Sequence, residues 1–375
     1  MYTIKLVRFN VTREMDVHWK LYLLLVFQKL ASVYSENILT YTLNDGNQIP
    51  AIALGTSLGH LANEPECSPN YWKWNGTRVL PVNHSLARAV QWALEAGYRH
   101  IDTATLYRVE DEVGLGVRNY VAKNGDRRDV YITTKLWNDA HEREEVIPAL
   151  KKSLQELNMD YVDLYLMHFP FGYKKDGSIS MTDYLETWKG LEDAKEANLT
   201  RSIGVSNFNL SQMERLWENS RIKPAVLQTE VNPSITEDDL IEWCQQRGIV
   251  VMAFSPFGAI LGRKKDAPPP HANHPTLINL AEKYNKTVPQ TLLRYLLDRK
   301  LVPIPRSTNK ERIKQNIDVM DFSLTSEEVE ELSSFNNNYR LRTLAKWYPH
   351  PYFPFEKKNL TDAEIEHIIH ERKED

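Results

Sequence analysis

Four side chains able to give, hold or orient a proton fall in order along this sequence: Asp102, Tyr107, Lys135 and His168. Gly97-Tyr98-Arg99-His100-Ile101-Asp102 reads as a strand ending on an acid, with Tyr107 in the loop that follows. Ile132-Thr133-Thr134-Lys135 ends the next strand on a lysine, and Leu166-Met167-His168 ends a third on a histidine. A phenol is a poor acid, with a pKa of about 10. A lysinium beside Tyr107 stabilises phenolate and lowers that value, which makes the pair a candidate general acid. Asp102 would keep Lys135 charged and oriented, and His168 would donate to an oxygen on which charge develops. Singly, each residue has a plainer reading, as half of a structural ion pair or as a hydrogen-bonded core histidine. Together, at three successive strand ends on one face, they favour chemistry.

Such a set needs strands that all end at one rim. Between residues 40 and 340, short β-branched runs alternate with longer helical patterns, as in a parallel α/β fold. Residues 40–54 predict a hairpin that turns at Asn44-Asp45-Gly46-Asn47. Strands are predicted at 51–55, 99–103, 130–134, 161–166, 201–205, 226–230, 249–254 and 301–304. Helical patterns lie between them, among others at 86–95, 145–157, 183–197, 212–219 and 238–247. Glu110-Asp111-Glu112 opens a further helix with acids where the macrodipole favours them. Gly97 and Gly248 stand just past helix ends, where a left-handed cap favours glycine.

Eight such units favour one closed (β/α)8 TIM barrel of the α/β class, with an N-terminal hairpin, over an open sheet. The expected division is an extension over 1–36, the barrel over 37–356 and a charged tail over 357–375. Barrel sites lie at the strand C-termini, so loops that follow strands overhang the site and shape it. Residues 63–81, 262–274 and 336–355 supply three long ones.

From Leu43 to about Phe355 these segments resemble the aldo-keto reductase family, with several motifs in the right order. The resemblance implies that Asp102, Tyr107, Lys135 and His168 are a catalytic tetrad. It further implies reduction of a carbonyl by hydride from NADPH, with Tyr107 as the general acid. Ser206, Asn207 and Gln228 match residues that hydrogen-bond the nicotinamide carboxamide. Phe254 matches an aromatic that stacks on the nicotinamide; Tyr is usual there, but stacking needs only a π-face. Arg306, Ser307 and Arg312 match the grip on the adenosine 2′-phosphate, Arg306 replacing the commoner Lys with a fork suited to phosphate. Thr56, Asp102, Ser255, Phe257, Thr308, Gln315 and Asn316 complete the expected cofactor contacts, with Gln315 where an acidic residue is frequent.

Ser57 stands where many members of the family carry Trp, which widens or wets one pocket wall. Tyr107, Trp137, His168 and Phe169 complete the expected pocket and suit a bulky apolar carbonyl. The Pro-rich loop at 267–270 and Arg306 are similar to insect members that reduce 3-dehydroecdysteroids. A general aldehyde reductase is the other expectation. From a different class comes a barrel that keeps NADPH binding without turnover and serves as a binding or structural subunit. The intact Tyr107 and His168 stand against that alternative.

The bulk sequence excludes other classes. Lys+Arg at 46 against Asp+Glu at 50, with the signs interleaved, is not the basic stripe of a nucleic-acid binder. Two cysteines, Cys67 and Cys244, cannot build a metal site or a disulfide framework, and Cys244 is expected as a buried thiol. The eleven histidines show no clustering at strand ends, so no metal is expected. Tyr131 and Lys135 match a Y-x-x-x-K pair, but that motif belongs on a helix and this segment reads as a strand. No G-x-G-x-x-G follows the first strand, and Gly114-Leu115-Gly116 lacks the third glycine, which excludes a Rossmann fold. The expected partner is a small-molecule carbonyl, with neither nucleic acid nor membrane, for a monomeric protein.

Residues 21–27 form a short apolar run after Arg13 and Lys20 and before Ala31, Ser32 and Ser35, the layout of a secretory signal. Lys29 and the long stretch before the run depart from that layout, and a cytoplasmic protein is the alternative. Seven N-x-Ser/Thr sequons, at Asn10, Asn75, Asn83, Asn198, Asn209, Asn285 and Asn359, add to the case for secretion. The expected product is secreted and shifts in mobility on endoglycosidase treatment. An endoglycosidase-insensitive product retained in the cytosol would reverse that expectation.

Overall fold

The computed structural model describes residues 39–58, 82–174, 176–262, 264, 266–342 and 347–356. The apolar run at 21–27, the segment 63–81 with Cys67, the tail 357–375 and the sequons at Asn10, Asn75 and Asn359 lie outside them. Strand β1 (Thr40–Thr42) pairs antiparallel with β2 (Gln48–Pro50). Gly46, at φ +86°, makes the turn, its N–H donating to Leu43 O at 3.0 Å.

Eight parallel strands follow: β3 (Leu54–Gly55), β4 (His100–Asp102), β5 (Tyr131–Leu136), β6 (Val162–Met167), β7 (Thr200–Ser206), β8 (Val226–Glu230), β9 (Val250–Phe254) and β10 (Val302–Pro303). Each pairs with its neighbour in chain order. The ring closes where Ala53 N and Gly55 N donate to Pro303 O and Pro305 O, at 3.1 and 2.9 Å. The predicted strands are recovered to within a residue or two at most ends, because each β-branched run is buried on both faces.

Strand periodicity sorts the residues into two layers. Leu164, Leu166, Val226, Met252 and Val302 fill the barrel interior, which Leu43 and Ile49 of the hairpin close from below. Ile132, Tyr165, Met167, Ile203, Val205 and Leu227 face the helices. By the same alternation, the inward residues nearest the C-terminal rim are Asp102, Lys135, His168, Ser206, Gln228, Glu230 and Phe254.

The helical layer comprises α1 (Ser85–Glu95), α2 (Glu110–Asn124), α3 (Arg143–Leu157), α4 (Tyr184–Glu196), α5 (Leu210–Asn219) and α6 (Asp238–Gln245). It continues with α7 (Pro275–Lys283), α8 (Val288–Asp298), α9 (Lys310–Ile317) and α10 (Ser326–Ser333). Gly97 and Gly248 adopt φ +111° and +67° after α1 and α6, as their positions in the sequence predict. The acids open α2 as expected, and two of them, Glu110 and Glu112, are buried. Glu112 accepts from Ala87 N at 3.1 Å, so it caps the start of α1 as well as favouring its own helix dipole.

Residues 336–342 and 347–356 return over the rim. Glu230 accepts from the N–H groups of Leu341 and Arg342 at 2.8 and 3.0 Å, and Gln212 donates to Tyr352 O at 2.9 Å. Asn209 donates to Pro354 O at 2.9 Å while accepting from Gln212 N, so this sequon's side chain is already engaged. Asn83, Asn198 and Asn285 are exposed.

Gly114 and Gly116 are packing residues. A Cβ on Gly114 would meet Leu157 O at 2.1 Å, and one on Gly116 would meet Ala87 O at 2.5 Å. Their lack of side chains lets α2 press against α1 and α3. Gly114→Ala is expected to destabilise the fold by about 2–3 kcal/mol, read as a lower urea midpoint. An unchanged midpoint would mean the helices separate without cost.

Candidate active site

Lys135 extends from β5 into the barrel with no solvent exposure. Its ammonium donates to Asp102 Oδ1 and Oδ2 at 2.8 and 2.9 Å, to Thr103 O at 2.8 Å and to Tyr107 Oη at 3.4 Å. Those partners satisfy all three donors of a lysinium. Asp102, at the end of β4, also accepts from Gln228 Nε2 at 2.8 Å. The Asp102 carbonyl accepts from both Thr56 N and Thr56 Oγ1, at 3.1 and 2.9 Å. The hydroxyl of Thr56 therefore holds the acid from behind.

Tyr107 ends a short 3-10 turn, Thr105–Tyr107, and is half-buried. His168 follows β6, its ring 5.8 Å from that of Tyr107 and nearly perpendicular to it. Phe169 stacks on His168 at 5.2 Å and Trp137 meets it edge-on at 5.4 Å. Asn207 Nδ2 donates to His168 O at 3.0 Å. Asp102, Lys135 and His168, which the sequence placed at strand ends, and Tyr107 of the following loop converge on one rim.

Burial and charge set their protonation. Burial works against the charged form of Lys135, but Asp102 and Tyr107 together outweigh it and the ammonium is held above its ordinary value. Burial, then Lys135, push His168 well below the usual imidazole range, so the ring is neutral. For Tyr107 the balance corrects the sequence expectation. Burial raises the phenol, and Lys135 offsets only part of that rise.

The expected cofactor residues fall into two groups. Ser206 and Gln228 are partners in the β7–β8 register. Asn207, at φ +59°, donates through its side chain to Ser206 Oγ at 3.1 Å and through its backbone to Gln228 O at 2.9 Å. Phe254, Ser255 and Phe257 are half-buried at the end of β9, Ser255 at φ +49°. Around the start of α9, Arg306, Thr308, Arg312 and Gln315 are exposed and Ser307 and Asn316 buried. Ser307 Oγ accepts from Asn309 N at 3.1 Å, and Asn309 Oδ1 caps Arg312 N at 3.0 Å. Although Arg306 is exposed, partial desolvation of its guanidinium by the surrounding protein lowers it, and the neighbouring Arg342 and Arg312 guanidiniums lower it further. Cations crowded in this way fit an anionic phosphate, which would relieve their repulsion.

Three features were beyond the sequence motifs. Trp347, from the returning tail, lies 6.0 Å from Trp137, 4.6 Å from Phe169 and 5.2 Å from Phe171. It completes an aromatic wall whose only sequence signal is the aromatic content of the tail. Glu230 anchors that tail, and Glu110 lies buried behind β5. Ser57, half-buried, follows β3 at the same rim. Cys244 is a buried thiol, pushed up to about 12 by burial. Among the described residues no group of three or more His, Cys, Asp or Glu is placed to hold a metal ion, and no helix is long and apolar enough to cross a membrane.

Comparison with known proteins gives a consistent picture. Residues 71–337 match the model of the aldo/keto reductase family. Aldo-keto reductase AKR2E4 of Bombyx mori is 50% identical over 315 residues, covering 83% of this chain and 97% of the relative. Human aldo-keto reductase family 1 member A1 is 37% identical over 336 residues, covering 84% and 97%. The crystal structure of the Bombyx mori AKR2E4 in complex with NADP superposes with a TM-score of 0.78 at 48% identity, covering 85% of this chain and 99% of that one. That of aldo-keto reductase AKR2E5 complexed with NADPH does so with a TM-score of 0.79 at 38% identity, covering 87% and 96%.

Lys135→Met would leave Asp102 buried without its cation. The expected loss is about 3–5 kcal/mol in urea unfolding, partly recovered in the double variant Asp102→Asn/Lys135→Met. A single variant no less stable than the double would refute the coupling.

Proposed function

Because this chain belongs to the aldo/keto reductase family, we propose that it reduces a bulky apolar ketone or aldehyde with NADPH, Tyr107 delivering the proton. The observation that carries this reading is the Lys135 ammonium, fixed by Asp102 and Thr103 with one donor turned to the Tyr107 hydroxyl. NADPH, when bound, supplies the hydride. A phenol raised by burial keeps its proton until negative charge builds on the substrate oxygen in front of it. The proton then passes from Tyr107 to that oxygen, and Lys135 stabilises the phenolate left behind. Neutral His168 can donate an N–H to the same oxygen without placing a second cation beside Lys135.

Ser206, Asn207 and Gln228 would hold the carboxamide and Phe254 would face the nicotinamide ring. Arg306, Ser307 and Arg312 would hold the 2′-phosphate, which favours NADPH over NADH. The NADP and NADPH complexes of the two similar reductases support that assignment. For the substrate, the wall formed by Trp137, Phe169 and Trp347 is apolar, and Ser57, a small residue at the same rim, would admit a bulky ring system. A 3-dehydroecdysteroid has that shape.

NADPH oxidation is expected with steroid ketones in a carbonyl panel that also contains simple aldehydes. Tyr107→Phe is expected to lower turnover by roughly 10²–10⁴-fold, while NADPH still quenches tryptophan fluorescence. Unimpaired Tyr107→Phe would overturn the acid assignment. Absence of turnover across the panel would favour a barrel that binds NADPH without reducing anything.

A further inference from the structure

Behind the tetrad, on the helix-facing side of β5, four polar side chains form a line: Thr134, Glu110 and Ser153 are buried and Thr105 is half-buried. Thr134 Oγ1 donates to Glu110 Oε1 at 2.6 Å. The other carboxyl oxygen, Glu110 Oε2, lies 3.1 Å from Ser153 Oγ of α3. Ser153 Oγ lies 3.0 Å from Thr105 Oγ1, and Thr105 Oγ1 donates to Lys135 O at 3.0 Å. Thr105 opens the same short turn that ends in Tyr107.

Counting protons decides how this line is wired. A carbonyl only accepts, so the one hydroxyl proton of Thr105 is committed to Lys135 O. The contact between Ser153 and Thr105 must then use the one proton of Ser153. No proton remains for the contact between Ser153 and Glu110 unless the carboxyl brings its own. With an ionised Glu110, one of the three contacts would set two lone pairs against each other in a buried site, which carries a desolvation cost with nothing to offset it.

We infer that Glu110 is held as a neutral carboxylic acid, whose proton completes a one-way chain through Ser153 and Thr105 to Lys135 O and so fixes the turn carrying Tyr107. Glu110 is thus a positioning residue: it touches no reacting atom. Its surroundings agree. Both carboxyl oxygens have hydroxyls as their hydrogen-bond partners, and burial pushes the group up to about 7. Of the charged and titratable groups near it, Glu156 on α3 raises it further and Lys135 on β5 lowers it. Tyr165 on β6 is a phenol that burial keeps well above its ordinary range.

That Tyr107 is the acid rests on the function proposed above; the protonation of Glu110 does not, and infrared difference spectroscopy reads it without turnover. At about pH 6, below the value of about 7 for this carboxyl, subtracting Glu110→Gln from the native spectrum is expected to remove a protonated-carboxyl C=O band. Loss of a carboxylate band instead would overturn the inference. Linkage gives a second readout. The folded protein holds this proton up to about 7, whereas an unperturbed glutamate releases it near 4.5, so its stabilising contribution is full below 4.5 and is lost as pH rises through 7. Glu110→Gln is expected to flatten that fall in stability; an unchanged slope would count against the neutral acid.

Turnover supplies the third. Glutamine can donate to Ser153 and accept from Thr134, so Glu110→Gln should keep kcat within about twofold, whereas Ser153→Ala should lower it roughly tenfold with the KM for NADPH unchanged. Equal losses in the two variants would refute the one-way chain. A native enzyme without turnover would defeat the proposed function and leave the infrared result standing.

Discussion

An ammonium with no access to water survives inside this barrel because four oxygens meet it: two of Asp102, one of Thr103 and one of Tyr107. Removing an ion from water costs several kcal/mol, and only a well-made pair offsets it. Much of the rim is arranged around that requirement. Thr56 pins the backbone of Asp102 and Gln228 holds its carboxylate. The β4–β5 register sets Asp102 beside Thr133, so that Lys135, two residues further along the same inward face, reaches back to the acid. The partial offset of the Tyr107 phenol traces to this one buried charge, which also adds to the burial that keeps His168 neutral.

The barrel supports the pair from two sides. Inward, strand alternation collects one polar residue from each of several strands at the same height. Outward, the intervening residues pack against helices, and there Thr134 and Ser153 enclose a second buried titratable group, Glu110. Gly114 and Gly116 permit the close approach of α2, the helix that begins at Glu110, to α1 and α3. Above the rim, Glu230 fixes the returning tail through two backbone N–H groups, and Trp347 then packs on Trp137 and Phe169.

Most of the architecture was legible along the chain. The hairpin at 40–54, the eight strands and the capping glycines Gly97 and Gly248 are all local patterns, and each formed where its pattern lies. The gathering of Asp102, Tyr107, Lys135 and His168 was legible too, because residues at the ends of parallel strands must share a rim. Glu110 and Glu112 were not. An acid at a helix start looks the same whether water or a neighbouring helix faces it, and only packing tells the two apart. Trp347 was invisible for a different reason: its partners Trp137 and Phe169 lie far away in sequence, and no periodicity links them.

The sequence by itself determined the elements and the set of reacting groups, since both follow from residue type and spacing over short stretches. Tertiary structure alone decided the protonation of those groups. Lys135 was expected to pull Tyr107 down, and burial turned the balance upward. It also decided which acids are hidden and which aromatic rings close the pocket. Burial is a property of what several distant segments exclude together, and at Tyr107 the desolvation that scales with it outweighs the Lys135 charge that the sequence made legible.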